Sequence, residues 1–248
     1  MKPDRVEDLD RAVVVWIAPL AALHDSLDAF AARLDSREIE RAGRFHFPED
    51  RARFVAGRGL LRLGLRRFAP HLPGSIELAY TGLGRPVLPE GQSGPHFSIS
   101  HTHDLVAVAF TNEARVGIDI EYLQPALDVL ELGERIFSAD DFRAFQTLPP
   151  DERRAAFYRA WTRKEAYLKA LGEGIATSLQ QITVSFGADD VSGLTDTRDA
   201  AAAAWRLYGL PIPDGYAGAL ACDDAGRMPH WRHLQLRTGD IVAAEDHP

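Results

Sequence analysis

The chain has 248 residues, 46% hydrophobic and 26% charged, at a mean hydropathy of -0.19, a balance that excludes wholesale disorder and a membrane protein. Its net charge of -8 and pI near 5.6 exclude general affinity for nucleic acid. The single Cys222 excludes disulfide frameworks and multi-cysteine zinc sites and points to a reducing, cytoplasmic compartment.

The apolar run Val13–Leu20 lacks the basic start and small-residue cleavage site of a signal peptide and reads as a first strand. Ala21–Arg33 reads as a helix, and Asp35 with Glu38 three residues later forms a capping box for a second one. Pro48 suits a helix start, and Phe54, Val55, Leu60, Leu61, Leu65 and Phe68 keep a loose helical period to Ala69, closed by Pro70. From Arg33 to Arg67, ten arginines stand against five carboxylates, so an acidic chain carries a local basic surplus. Any one of these arginines is an ordinary member of a solvated ion pair. The cluster as a whole suggests a polyanionic ligand.

Short apolar stretches at Ile76–Tyr80, His96–Ser100, Leu105–Phe110 and Val116–Ile120 read as strands. Only Thr111–Arg115 joins the last two, which predicts an antiparallel hairpin. Pro125 then breaks the pattern and marks a boundary between lobes 1–124 and 125–248. The second half repeats the order, with helices at Ala126–Phe137, Ala139–Thr147 and Asp151–Leu171. Strands follow at Gln181–Phe186, Trp205–Leu210, Tyr216–Cys222 and Trp231–Leu236. The run Ala200–Ala204 is helical by propensity but also suits a loop or strand start. Helices ahead of hairpin strands in both halves predict an α+β fold of two similar lobes, with the ligand site in the cleft between them.

Three segments could carry chemistry. In Val116–Glu121, alternate side chains share a strand face, so Asp119 and Glu121 project together, roughly 7 Å apart along the backbone. Paired hard oxygen donors suit Mg²⁺ completed by water and phosphate oxygens, although a solvent-facing strand carries the same pattern. In Trp161–Lys169, Glu165 and Lys169 lie one helical turn apart. That pair is either a surface ion pair or, given the apolar Trp161, Tyr167 and Leu168, part of a packed helix where charges need a reason. Gly84-Arg85-Pro86 presents a guanidinium fork suited to phosphate. Ser100 and His101 end a strand, where they can meet an anion or satisfy backbone groups. His101 and His103 lack a third ligand for zinc. A serine hydrolase built on Ser100 and His101 is disfavoured, since adjacent strand residues face opposite ways and no nucleophile elbow is present.

Taken in order, these segments resemble the phosphopantetheinyl transferases of the surfactin-synthetase-activating type. That family shows a G-[KR]-P turn, here Gly84–Pro86, and an S-x-S-H-like strand end, here Phe97–His101. It also shows a G-[IV]-D-[ILV]-E strand, here Gly117–Glu121, and a W-[ST]-x-K-E-[AS]-[hydrophobic]2-K helix, here Trp161–Lys169. The likeness extends upstream to Arg41–Phe45 and Glu49–Arg53. It implies a monomeric pseudo-dimer that moves the 4'-phosphopantetheine arm of coenzyme A onto a serine of an apo acyl or peptidyl carrier protein. No nucleic acid or membrane takes part. By position, Asp119, Glu121 and Glu165 would hold Mg²⁺ on the pyrophosphate, and Lys164, Lys169, Ser100 and His101 would line the phosphates. Arg53, with Arg41 assisting, would meet the 3'-phosphate, and Arg85 would lie beside the adenine nucleotide. Glu165 and Lys169 would be the catalytic pair. The base is either Glu165 or a metal-bound water that it holds. Glu38 departs from the family at a position where some members are basic.

Overall fold

The computed structural model describes residues 9, 12–73, 76–112, 114–173, 179–188, 191–223 and 228–233. It is an α+β fold that divides into two compact units, one running to Asn112 and taking back the last strand, the other running from Ala114 to Asp223. The division thus falls ahead of the Val116–Tyr122 strand, not at Pro125.

The first unit contains β1 (Ala12–Pro19), α1 (Leu27–Ala31), α2 (Ser36–Gly43), α3 (Pro48–Phe68), β2 (Ala79–Tyr80), β3 (Pro86–Val87), β4 (His96–Thr102) and β5 (Leu105–Thr111). The predicted helix Ala21–Arg33 is a 3-10 turn over Leu20–Ser26 followed by the short α1. The capping box is present in full: Asp35 accepts from the Glu38 N–H at 2.9 Å, and Glu38 accepts from the Asp35 N–H at 3.1 Å. Of the predicted strand Ile76–Tyr80, only Ala79 and Tyr80 pair, with β3.

The second unit contains β6 (Val116–Tyr122), α4 (Val129–Ile136), α5 (Ala139–Gln146), α6 (Pro150–Leu171), β7 (Ile182–Val184), β8 (Val191–Ser192), β9 (Leu194–Asp196), β10 (Arg206–Gly209) and β11 (Tyr216–Cys222). Ala200–Ala204 is a 3-10 turn capped by Asp199. α6 begins on Pro150 with Asp151 and Glu152 in its first turn and ends on Gly172 at φ 78, the left-handed conformation that stops a helix.

Sheet pairing corrects one expectation. β5 and β6 do not form a hairpin: the first sheet runs β12-β1-β5-β4, where β12 is Met228–His233, and the second runs β6-β11-β10-β8. β5 is already flanked by β1 and β4, so both its edges are used before the chain reaches β6. β12 lies parallel to β1. The predicted strand Trp231–Leu236 therefore starts earlier, and Leu234, Gln235 and Leu236 lie outside the described residues.

Each unit has its own core. α3 packs on β4 and β5 around Trp16, Phe68 and Phe110. α6 packs on β6 and β11, with Phe137, Phe145 and Phe157 clustered beside it and Tyr167 edge-on to Trp205. No helix among the described residues is long and apolar enough to cross a membrane.

Candidate active site

β6 is a strand with both faces covered. Ile118 and Ile120 are buried as their alternation predicts, but Asp119, on the opposite face, is also only 4% exposed. The cover is α6, and Gly117 admits it. A Cβ at Gly117 would lie 1.9 Å from the Ala166 carbonyl oxygen and 2.6 Å from the Ala170 nitrogen, so the helix backbone rests directly on the strand. Only a glycine permits that approach. The alternation that puts Gly117 under α6 puts Asp119 and Glu121 on the same face. Ala166 and Ala170 supply the small contact, and Glu165 and Lys169, the residues just before each, flank it.

The consequence is a compact charge cluster. Lys169 Nζ donates to Asp119 Oδ1 at 2.6 Å, an ion pair that is not the i,i+4 surface pair with Glu165. Glu165 is 7% exposed, and its Oε1 has no hydrogen-bond partner among the described residues. Burial pushes its pKa up to about 7; the Asp119 charge adds to this, Lys169 opposes it and Glu121 adds a further push. A carboxylate kept near neutrality by burial and two like charges is a group whose charged form lacks compensation in the protein.

The donor chemistry suits a hard divalent cation, which would relieve the Glu165 oxygen and the mutual repulsion together. As they stand, the described residues contain no group of three or more His, Cys, Asp or Glu side chains arranged to hold a metal ion. In this arrangement Lys169 supplies the cation closest to Asp119.

Lys164 is corrected by the structure. Its Nζ donates to the carbonyls of Ile136 at 3.0 Å and Leu179 at 2.9 Å and sits 5.0 Å from the Phe137 ring centroid. Burial lowers its pKa to about 8. It pins the end of α4 and the 3-10 turn at Leu179–Gln181 to α6, and it does not turn to the Glu165 face. Helical geometry explains this: consecutive residues are about 100° apart, so Lys164 and Glu165 cannot share a face. Arg163 likewise donates to the carbonyls of Ser185 and Gly187. Within the Trp161–Lys169 motif, Arg163 and Lys164 are thus structural.

In the first unit, Arg85, Ser100, His101 and Arg53 are placed around β4 and the turn after it. Arg85 follows a tight turn in which Gly84 has φ 80 and donates to the Thr81 carbonyl. The Arg85 Nη2 reaches the Phe97 carbonyl at 3.3 Å, and burial lowers its pKa. Ser100 and His101 pair across from Ala107 and Val106, Ser100 buried and His101 exposed. Arg53 donates to the His103 carbonyl at 2.8 Å and pairs with Asp50, fixing α3 against the turn that follows His101. Arg41 lies 5.3 Å from the Phe54 ring centroid, next to Arg53 in sequence.

Two of the arginines counted in the basic cluster are turned inward and do not contribute to a ligand surface. Arg62 donates to Glu38 and to the Ile76 carbonyl and pairs with Asp35, and Arg58 Nε lies 3.4 Å from Glu38. Glu38 is buried at the third helical position with both arginines on it, which accounts for an acid at this place. The role of Gly117 was missed in the sequence, although a glycine inside a strand is the signal for a close backbone approach.

Residues 21–113 match the family described as "4'-phosphopantetheinyl transferase, N-terminal", and residues 115–221 match the "4'-phosphopantetheinyl transferase superfamily". The chain is 37% identical over 237 residues to "4'-phosphopantetheinyl transferase HetI" of Nostoc sp., covering 94% of this chain and 96% of that protein. The chain belongs to the 4'-phosphopantetheinyl transferase superfamily. A putative transferase of Synechocystis sp., slr0495, is 27% identical over 93% of this chain and 89% of its own length. The Bacillus subtilis transferase Sfp is more distant, 29% identical over 65% of this chain and 70% of its own. The boundary in sequence between the two matches coincides with the boundary between the two structural units. The carboxylate set lies in the second match, and the arginine and histidine set in the first.

Proposed function

We propose that this superfamily member transfers the 4'-phosphopantetheine group of coenzyme A to a serine of an apo acyl or peptidyl carrier protein, releasing adenosine 3',5'-bisphosphate, with Mg²⁺ as cofactor. The observation that carries the reading is the Gly117 seat, which brings Asp119, Glu121, Glu165 and Lys169 onto one strand–helix face with Glu165 held near neutrality. Such a face suits a pyrophosphate together with a cation.

Asp119, Glu121 and Glu165 would hold Mg²⁺, which when bound would screen and polarise the pyrophosphate of coenzyme A. The protein's own groups do the rest. Lys169, held by Asp119, offers its ammonium to phosphate oxygens as charge builds on them, the main task in phosphoryl-type transfer. Glu165 accepts the proton of the carrier serine, directly or through a water that it holds. Arg53, with Arg41, serves the 3'-phosphate, and Arg85, Ser100 and His101 serve the remaining nucleotide and phosphate groups. Lys164 has no part in binding.

The reading extends to the surfactin-synthetase-activating type, supported by the four ordered motifs. One chain carries both residue sets, which supports a monomeric enzyme, and a lone buried Cys222 suits the cytoplasm. The test is to incubate the protein with coenzyme A, Mg²⁺ and a panel of apo carriers and weigh the carriers intact. A mass gain of one phosphopantetheine, abolished by EDTA, is expected; no gain on any carrier would sink the proposal.

A further inference from the structure

The strand and helix that hold the carboxylates are tied at the Gly117 seat and by the Lys169–Asp119 ion pair, and a further anchor lies beyond the end of the strand. Past Tyr122 the chain leaves the sheet, with the Leu123 N–H donating to the Gly215 carbonyl at 2.9 Å. The Gln124 N–H, directed at the Tyr122 carbonyl at 2.9 Å, is shared with the phenol oxygen of Tyr158 at 3.2 Å. Arg154 Nη1 donates to the carbonyls of both Gln124 and Leu127. Tyr158 and Arg154 lie one turn apart on α6, so one helix face clamps the segment that begins three residues after Glu121.

β6 and α6 therefore run antiparallel, with Gly117 against Ala166 and Ala170 at one end and Gln124 against Tyr158 at the other. Asp119 and Glu121 lie between these anchors on the strand, and Glu165 lies between them on the helix. β11 holds β6 within its sheet as far as Tyr122 opposite Tyr216, so losing the Tyr158 and Arg154 anchor loosens β6 against α6, and most at Glu121, the carboxylate nearest the released end. Glu121 is also close enough to Tyr158 for its charge to help burial push the phenol's pKa up.

We propose that Tyr158 and Arg154 are positioning residues for Glu121: by holding the chain that leaves β6, they set the spacing of the Asp119, Glu121 and Glu165 carboxylates. This rests on the reading of those three as the Mg²⁺ ligands. Neither residue touches the reacting atoms, and neither stood out in the sequence as more than part of a helix. A partner one step behind a ligand typically changes metal affinity by about 10–100-fold when removed.

The experiment measures Mn²⁺ binding by electron paramagnetic resonance in the presence of coenzyme A, together with the Mg²⁺ dependence of transfer. It compares wild type with Tyr158→Phe, Arg154→Ala and Arg154→Lys, each checked for its melting temperature. Tyr158→Phe and Arg154→Ala should weaken Mn²⁺ binding about 10-fold and raise the Mg²⁺ needed for half-maximal rate in parallel. Arg154→Lys, which keeps one donor, should recover part of the loss. Mn²⁺ affinity unchanged in folded Tyr158→Phe overturns the inference, and because that variant deletes one oxygen it decides the matter even if Arg154→Ala does not fold. Wild-type protein that neither binds Mn²⁺ nor modifies a carrier overturns instead the metal reading beneath it.

Discussion

Both units lay one long helix on a sheet, but the close approach is made in opposite ways. In the first unit the glycines are on the helix: a Cβ at Gly64 would lie 2.0 Å from the tip of the Phe110 ring, and one at Gly57 would lie 3.2 Å from an Ile99 methyl. Strand side chains enter the helix there: the Phe110 ring is locked in the core, but the Ile99 methyl can give by a few tenths of an ångström. In the second unit the glycine is on the strand and meets helix backbone, which cannot. Buried charge divides the same way. Arg58 and Arg62 are met by Glu38 and Asp35 and serve the fold, whereas Glu165, beside Asp119, is left at an elevated pKa. Unit one pairs its buried ions with each other, while in unit two Lys164 and Arg163 are tied to backbone carbonyls and Glu165 keeps an electrostatic cost.

The largest expected effect tests the functional side of this contrast. Glu165→Gln should lower kcat by roughly 10²–10⁴-fold, the range for a lost general acid or base, in a carrier mass assay with the fold intact by circular dichroism. Full activity would remove Glu165 from the mechanism. On the structural side, Glu38→Ala takes the carboxylate from buried Arg58 and leaves Arg62 with Asp35 and the Ile76 carbonyl, and should cost about 3–5 kcal/mol in urea unfolding. A loss well under that would mean the first unit's charges are not mutually dependent.

A pH series separates the two kinds of charge. Because Glu165 in the folded protein has a pKa raised from 4.5 to about 7, the neutral form is favoured on folding. Its contribution is fully present below the ordinary value and is lost as pH rises through about 7, on the order of 3 kcal/mol in all. With EDTA present, the stability gap by which Glu165→Gln exceeds wild type should open between those values, and Mg²⁺ with coenzyme A should narrow it. A gap independent of pH would contradict the buried, uncompensated carboxylate.

The glycines give the smallest and cleanest comparison. Gly117→Ala must push α6 off β6 and should destabilise by about 1–3 kcal/mol or more, with a loss of transfer greater than the loss of stability explains. Gly57→Ala meets only a side chain at 3.2 Å and gains helix propensity of up to about 1 kcal/mol, so its net change should be near zero. Equal effects at both positions would erase the distinction between backbone and side-chain contact.

Much of this was legible from sequence because it is local. The capping box at Asp35 and Glu38, the Pro48 and Pro150 helix starts, the Gly172 stop and the strand alternation through Asp119 all follow from rules that span a few residues. The ordered motifs placed Asp119, Glu121, Glu165 and Lys169 on the right elements. Three things could be decided only by tertiary structure, because each depends on what lies across from a residue and not beside it. β5 and β6 are close in sequence yet separate, since β1 and β4 occupy both edges of β5. Lys164 and Glu165 are neighbours yet face apart, one pinned to backbone carbonyls and the other turned to the strand. The basic cluster, read as one ligand surface, is partly consumed by Glu38 and Asp35, because a buried guanidinium must find its partner inside the fold. Local chemistry in the chain named the groups, and packing of one helix on one glycine decided which of them meet.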